Sequence, residues 1–204
     1  MKLKEIFNEI IVGYNLNNST VKDEYSKIYK TLQKDSIQYT NIIPNRLIDR
    51  KFSSDIKRKY FMQPRDILIF VKRPYRVGTY IHNDDLEVII PNNFIILRGI
   101  NMEYYSFIFV ANYLEKIGVQ KYINEHKKNG NLNIEDIKNI ELPNIPKEQQ
   151  MKISSLLNAI NQRSAIYNNI LDNDDKIAKY AINSIIGDHN EWFNKRIKIN
   201  RRTI

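Results

Sequence analysis

The 204-residue chain contains no cysteine. A disulfide framework, a thiolate zinc site and a cysteine nucleophile are excluded together, and the absence of disulfides fits a cytoplasmic chain. Glycine is scarce, at 13, 78, 99, 118, 130 and 187, too widely spaced for either Gly-rich nucleotide-binding fingerprint. No apolar run approaches the roughly eighteen residues that cross a bilayer. Glu5 and Glu9 fall where a signal peptide needs an unbroken apolar stretch. The three histidines, His82, His126 and His189, form no His-x-x-x-His pair. No serine nucleophile elbow and no amino-methyltransferase tetrapeptide (Asn or Asp, then Pro-Pro-aromatic) is present. No catalytic residue, metal ligand or cofactor site follows from these patterns. Acid-x-Lys triplets that could serve a Mg²⁺-dependent nuclease occur at Asp55–Lys57, Asp136–Lys138 and Asp174–Lys176. None lies on a strand-like run behind a second acid.

What the chain does have is positive charge: 32 Lys and Arg against 23 Asp and Glu, a formal net charge of +9. That balance favours a polyanionic partner, with a merely basic soluble protein as the alternative. Hydrophobic residues make up 42% of the chain, enough for a core, which excludes a wholly disordered basic tail.

Along the chain, Leu3, Ile6, Phe7, Ile10 and Ile11 fall at helical spacing, predicting a helix over Leu3–Tyr14 that stops at Gly13. Asn15–Asp23 reads as loop. Asp66–Val71, Leu86–Ile90 and Asn93–Arg98, the last closed by Gly99, are short β-branched runs. They predict a compact, mostly antiparallel sheet. From Met102 to Glu125 the period becomes helical, with an interruption at Gly118. A polar loop, His126–Asn133, and a short turn-like element, Ile134–Ile140, follow. Pro143 and Pro146 impose an extended hinge.

Pro146 then starts a helix, with Glu148 in its first turn and Gly187 as its expected end. Ile153, Leu157, Ile160, Tyr167 and Leu171 form an apolar seam in alternating steps of three and four, interrupted by Ser164 and Asp174. One long helix, or two broken near Asp172, are both consistent with it. Unbroken, it spans about 60 Å, too long to bury one face on so small a domain, so it is expected to project and pair. The fold class expected is α+β, a compact domain with short, mostly antiparallel strands followed by a long C-terminal helix. Its parts are residues 1–145, a helix over 146–187 and a basic tail over 188–204.

Several segments, in order, resemble one half of a type I restriction–modification specificity subunit. Lys2–Tyr14 is similar to the start of that family's target recognition domain. Pro64-Arg-Asp-Ile-Leu-Ile69 sits where the family has a Gly-Asp-Ile-Leu strand, with Arg65 in place of the glycine. Asn93–Arg98 resembles the later strand and Asn129–Ile140 the closing loop and turn. Leu142–Gln150 resembles the Pro-x-x-Glu-Gln start of the conserved spacer helix. Full subunits carry two recognition domains and two spacer helices; one of each is present here, without internal repeat.

The resemblance implies a non-enzymatic DNA-reading subunit of the cytoplasm. It would hold a DNA methyltransferase subunit on its site, and a restriction subunit where one belongs to the complex. Double-stranded DNA would be gripped through phosphates and read at base edges. Lys72, Arg73, Tyr75 and Arg76, on a proline turn, and Lys127, Lys128, Asn129 and Asn131, on a polar loop, have the composition for that role. Lys57–Lys59 and Lys195, Arg196, Lys198, Arg201 and Arg202 suit phosphate contacts or solvated charge. The seam at Ile153, Leu157, Ile160, Tyr167 and Leu171 would join two copies antiparallel. A homodimer of this kind reads a palindrome with half-sites separated by roughly 17 base pairs, fewer if the helices overlap. The competing readings are a stand-alone Mg²⁺-dependent nuclease and a DNA-binding module of another defence or regulatory system.

Overall fold

A computed structural model describes residues 1–16, 26–52, 56–79, 87–127 and 131–200, with side chains as far as 186. The chain divides into two compact units, Met1–Leu157 and Asn158–Ile204. In the first, nine strands are described: β1 Phe7–Val12, β2 Lys27–Thr31, β3 Ile37–Gln38, β4 Asn41–Ile42, β5 Ile48–Phe52, β6 Ile67–Phe70, β7 Arg76–Thr79, β8 Val88–Ile89 and β9 Phe94–Ile100. Six of them form a sheet in the order β1-β9-β6-β7-β4-β3, and β5-β2-β8 form a second. Pairing is antiparallel except at β4–β7 and β2–β8.

Strand β6 shows why the larger sheet is a middle layer. All four of its residues are buried, and alternate side chains point to opposite faces. Ile67 and Ile69, with Ile95 and Leu97 of β9, join the apolar cluster under the helices. Leu68 and Phe70, with Phe94 and Ile96, join a second cluster with Leu32, Met62, Val88 and Ile90. A third, aromatic cluster lies on the small sheet, where the rings of Tyr29 and Phe61 meet edge to face at 5.2 Å.

The helix expected over Leu3–Tyr14 is corrected: only α1, Leu3–Ile6, is helical, and β1 follows directly. Ile10, Ile11 and Val12 are β-branched and favour extended backbone, and β1 pairs antiparallel with β9 from Phe7↔Ile100 to Val12↔Ile95. Gly13 ends a strand, not a helix. A Cβ there would lie 2.2 Å from the Pro91 carbonyl oxygen, so only glycine allows this backbone approach. The three expected strand runs appear as β6, β8 and β9, although β9 continues through Gly99, whose φ of +69° glycine tolerates.

Arg65 also takes a positive φ, +65°. The Asp66 N–H donates to the Gln63 carbonyl at 3.1 Å, with Pro64 second and Arg65 third in the turn, the arrangement of a type II turn. That position favours glycine, which is the residue the resembled motif carries there.

The helical stretch after β9 starts at Phe107 instead of Met102 and is one run in three parts. They are α2 (Phe107–Tyr113), a π-helical turn (Leu114–Gly118) and α3 (Val119–His126). The interruption expected at Gly118 is this wider turn. Helix α4, Ile134–Lys138, is capped by Asn133, whose side chain accepts from the Asp136 N–H at 2.9 Å. The segment after it runs beside the N-terminus, where the Leu142 N–H donates to the Met1 carbonyl at 2.8 Å.

Helix α5 spans Lys147–Asn200. It is unbroken through Asp172–Asp175, and it passes Gly187, where its end and a separate tail were expected. A lone glycine in a helix costs about 1 kcal/mol and does not stop it unless the chain also turns away. Inside the first unit, Gln150 fixes the helix start. It is 1% exposed, its Oε1 accepts from the Ser106 N–H at 2.8 Å, and its Nε2 donates to the carbonyls of Tyr104 (3.0 Å) and Ile145 (2.8 Å). In the second unit, Ile166, Ile170, Ile177, Ile182 and Ile185 are exposed.

Candidate nucleic-acid interface

The two stretches singled out for DNA contact are 50 or more residues apart in sequence, and the fold sets Asn131 of the second beside the first. Lys72–Tyr75 forms the turn joining β6 to β7, whose strands pair from Ile67↔Thr79 to Phe70↔Arg76. At its base the Val71 carbonyl accepts a 3.0 Å bond from the Leu132 N–H, which sets Lys72 beside Asn131. Lys72, Arg73 and Asn131 are exposed. Among the described residues no carboxylate lies within ion-pair distance of Lys72 or Arg73. Tyr75 is half-buried and packs on the helix-side core.

Two of the expected contact residues are engaged within the protein. Arg76 lies 3.4 Å from the Glu115 carboxylate, and the same Glu115 accepts from the Val77 N–H at 2.6 Å. Burial pushes the Glu115 carboxyl above its ordinary range, against the Val77 N–H and Arg76, which lower it. The π-helical turn carries Glu115 to this position, bracing the strand that leaves the hairpin. Lys127 is paired with Asp136 at 2.7 Å, so its ammonium also supports the cap of α4. Lys128 and Asn129 lie outside the described residues, as do His82, Asp55, Arg201 and Arg202. A cleft of about 580 Å³ opens between the hairpin and the π-helical turn, lined by Arg73, Tyr75, Glu115 and Gln120 among others.

Other basic residues are spent on structure. Arg98 grips Asp66 with two bonds, Nε to Oδ1 at 2.8 Å and Nη2 to Oδ2 at 2.7 Å, and Nη2 also donates to the Phe61 carbonyl. Burial raises the Asp66 carboxyl, and the Arg98 guanidinium pulls it back. In the Lys57–Lys59 run, Arg58 lies over the Phe61 ring and Lys59 over the Tyr60 ring. Of the seam residues, Ile153 packs against the core of its own unit and Leu157 is half-buried, whereas Ile160, Tyr167 and Leu171 are exposed. No group of three or more His, Asp or Glu side chains could hold a metal among the described residues. Nor is any described helix long and apolar enough to cross a membrane.

With the geometry in place, solved structures supply the comparison. One match is to a chain from a type I R-M system, in work on its complex assembly and conformational transition, at a TM-score of 0.54 and 20% identity. It covers 82% of this chain and 39% of that one. Another is to the HsdS subunit from Thermoanaerobacter tengcongensis, at a TM-score of 0.57 and 16% identity, over 83% of this chain and 43% of that one. The fold is that of an HsdS subunit. It is the fold the ordered motifs imply, and this chain spans about two fifths of the length of the structures it matches. No family model and no curated protein matches the sequence.

The framework residues of this HsdS fold were the ones sequence reasoning missed. Gln150, Asp66 and Arg98 each lie inside a family-like motif that gives the side chain no role, and nothing local marks Glu115. Only their partners, 32 to 46 residues away, give them meaning.

Proposed function

We propose that this chain is the DNA-recognition subunit of a type I-like restriction–modification system. It reads one half-site in duplex DNA and docks a DNA methyltransferase subunit. The observation that carries the reading is the convergence of the exposed Lys72–Arg73 turn and Asn131, through the Leu132–Val71 bond, on an HsdS fold. Unpaired cations at a turn neutralise phosphates, and the neighbouring amide reaches base edges. Lys128 and Asn129 are assigned to DNA contact as well. The chain itself performs no chemistry, and a restriction subunit joins where the system has one.

A second copy pairs through α5, antiparallel, to form the two-domain reader. The exposed Ile160, Tyr167 and Leu171 support this, since unburied apolar rows on a helix seek a partner.

Selection from a random duplex pool in the presence of the methyltransferase subunit tests the reading. Two short half-sites related by two-fold symmetry are expected to emerge. A pool that stays random, with plasmid cleaved when Mg²⁺ is added to the chain alone, would replace this function with the nuclease.

A further inference from the structure

Two residues of β7 send their N–H groups away from β6. That of Thr79 donates to the Thr40 carbonyl at 2.7 Å, beside β4. That of Val77, two residues nearer the hairpin tip, has no strand opposite it among the described residues. Strand β4 is two residues long and pairs with β7 only at Thr79. A side chain from the π-helical turn fills the gap: Glu115 Oε2 accepts from the Val77 N–H at 2.6 Å.

The other oxygen, Oε1, meets Arg76 Nη1 at 3.4 Å. One carboxylate thus holds two partners, and they require different things of it. Accepting a backbone N–H needs only a carbonyl oxygen, which a neutral carboxyl keeps. Holding a guanidinium draws on the negative charge. Access differs too: the Glu115 side chain is 10% exposed, whereas that of Arg76, three residues beyond Arg73, is 48% exposed.

The site favours the neutral form. Burial raises the Glu115 carboxyl above its ordinary range, against the Val77 N–H, Arg76 and Lys116. Strand β7 carries no charge besides Arg76, and α2 carries none. The other titratable or charged residues lining the adjoining cleft are Arg73 and Tyr75. A phosphate drawn to the turn acts in the same direction, repelling the carboxylate and competing for its cation.

We propose that Glu115 sets how many cations the hairpin offers to DNA: ionised, it retains Arg76; neutral, it keeps β7 in place and releases Arg76 to a phosphate. Duplex binding is then coupled to the uptake of a proton. The proposal rests on the DNA-recognition reading.

The test measures duplex affinity of the full chain against salt at about pH 7 and about pH 5, both above the ordinary glutamate value near 4.3. Arg76→Ala should lower the slope of log affinity against log salt by about one at pH 5, and by much less at pH 7. In a Glu115→Gln background, which keeps a carbonyl for Val77 without the charge, it should lower the slope by about one at both. Taking these differences cancels other groups that gain charge on acidification, such as the exposed His126. The proposal is overturned if Arg76→Ala has the same effect at both pH values in the wild-type background, or none in the Glu115→Gln background. A second readout needs neither DNA nor a variant. In the free chain the Glu115 carboxyl carbon and the Arg76 Nε–H should shift along one titration curve while the Val77 amide stays protected from exchange. Separate curves, or protection at Val77 lost along the curve, equally overturn it. The DNA-recognition reading fails by a different measurement, if Lys72→Ala with Arg73→Ala leaves duplex affinity at low salt intact.

Discussion

The two ends of strand β6 carry similar charges to opposite purposes. At its start, Arg98 is bonded to a fully buried Asp66 and two backbone carbonyls, so its cation is enclosed by the protein. Beyond its end, six residues after Asp66, Lys72 and Arg73 sit on an exposed turn with no carboxylate in reach among the described residues. A net charge of +9 therefore says little until each cation is assigned to one group or the other. The first group holds the sheet, and the second is available to a polyanion.

The largest effect should come from breaking the enclosed end. Arg98→Ala leaves Asp66 buried without its partner and should destabilise the first unit by about 3–5 kcal/mol, read from urea unfolding. At the open end, replacing Lys72 and Arg73 together by Ala should leave stability within about 0.5 kcal/mol. The same variant should reduce the salt slope of duplex binding by about 2, one cation each. A stability loss as large as that of Arg98→Ala would abolish the distinction between the two ends. Arg65→Gly sharpens it: the change relieves a left-handed residue beside the enclosed pair and should stabilise by about 1 kcal/mol, seen as a raised melting temperature.

The smallest effect concerns pH. Burial raises the Glu115 carboxyl, so the folded state holds this proton more tightly than the unfolded chain does. The resulting stability is fully present below the ordinary carboxylate range and is lost as pH rises through the elevated value. Glu115→Gln, a mimic of the neutral form, lacks that titration. Urea midpoints measured across the acidic range should therefore show wild type losing ground to the variant as pH rises from about 4.3 upward.

Three of the nine described strands, β6, β8 and β9, were legible, because β-branched runs bounded by proline or glycine leave few options; the short, more polar strands β2 to β5 and β7 carry no such run. The first helix was not, since Leu3, Ile6, Phe7, Ile10 and Ile11 fit a helical stripe as well as they fit a short turn followed by a strand. What decided between them is β9, some 90 residues away, offering an unpaired edge. The turn at Lys72–Arg76 was identifiable from Pro74 and its flanking cations, whereas the capture of Lys127 by Asp136 depends on how the loop before α4 folds back, which the local Asn133–Asp136 capping pattern does not reveal. Likewise, Gln150 looks like any polar residue in a first helical turn until Ser106 and Tyr104 are set against it.

Because β6 sends alternate side chains into two separate interiors and its hairpin closes beyond both, the exposed residues 72 to 74 belong to neither core. Substitution at that tip therefore costs the framework little, so its chemistry can be altered while the sheet and both interiors stay as they are.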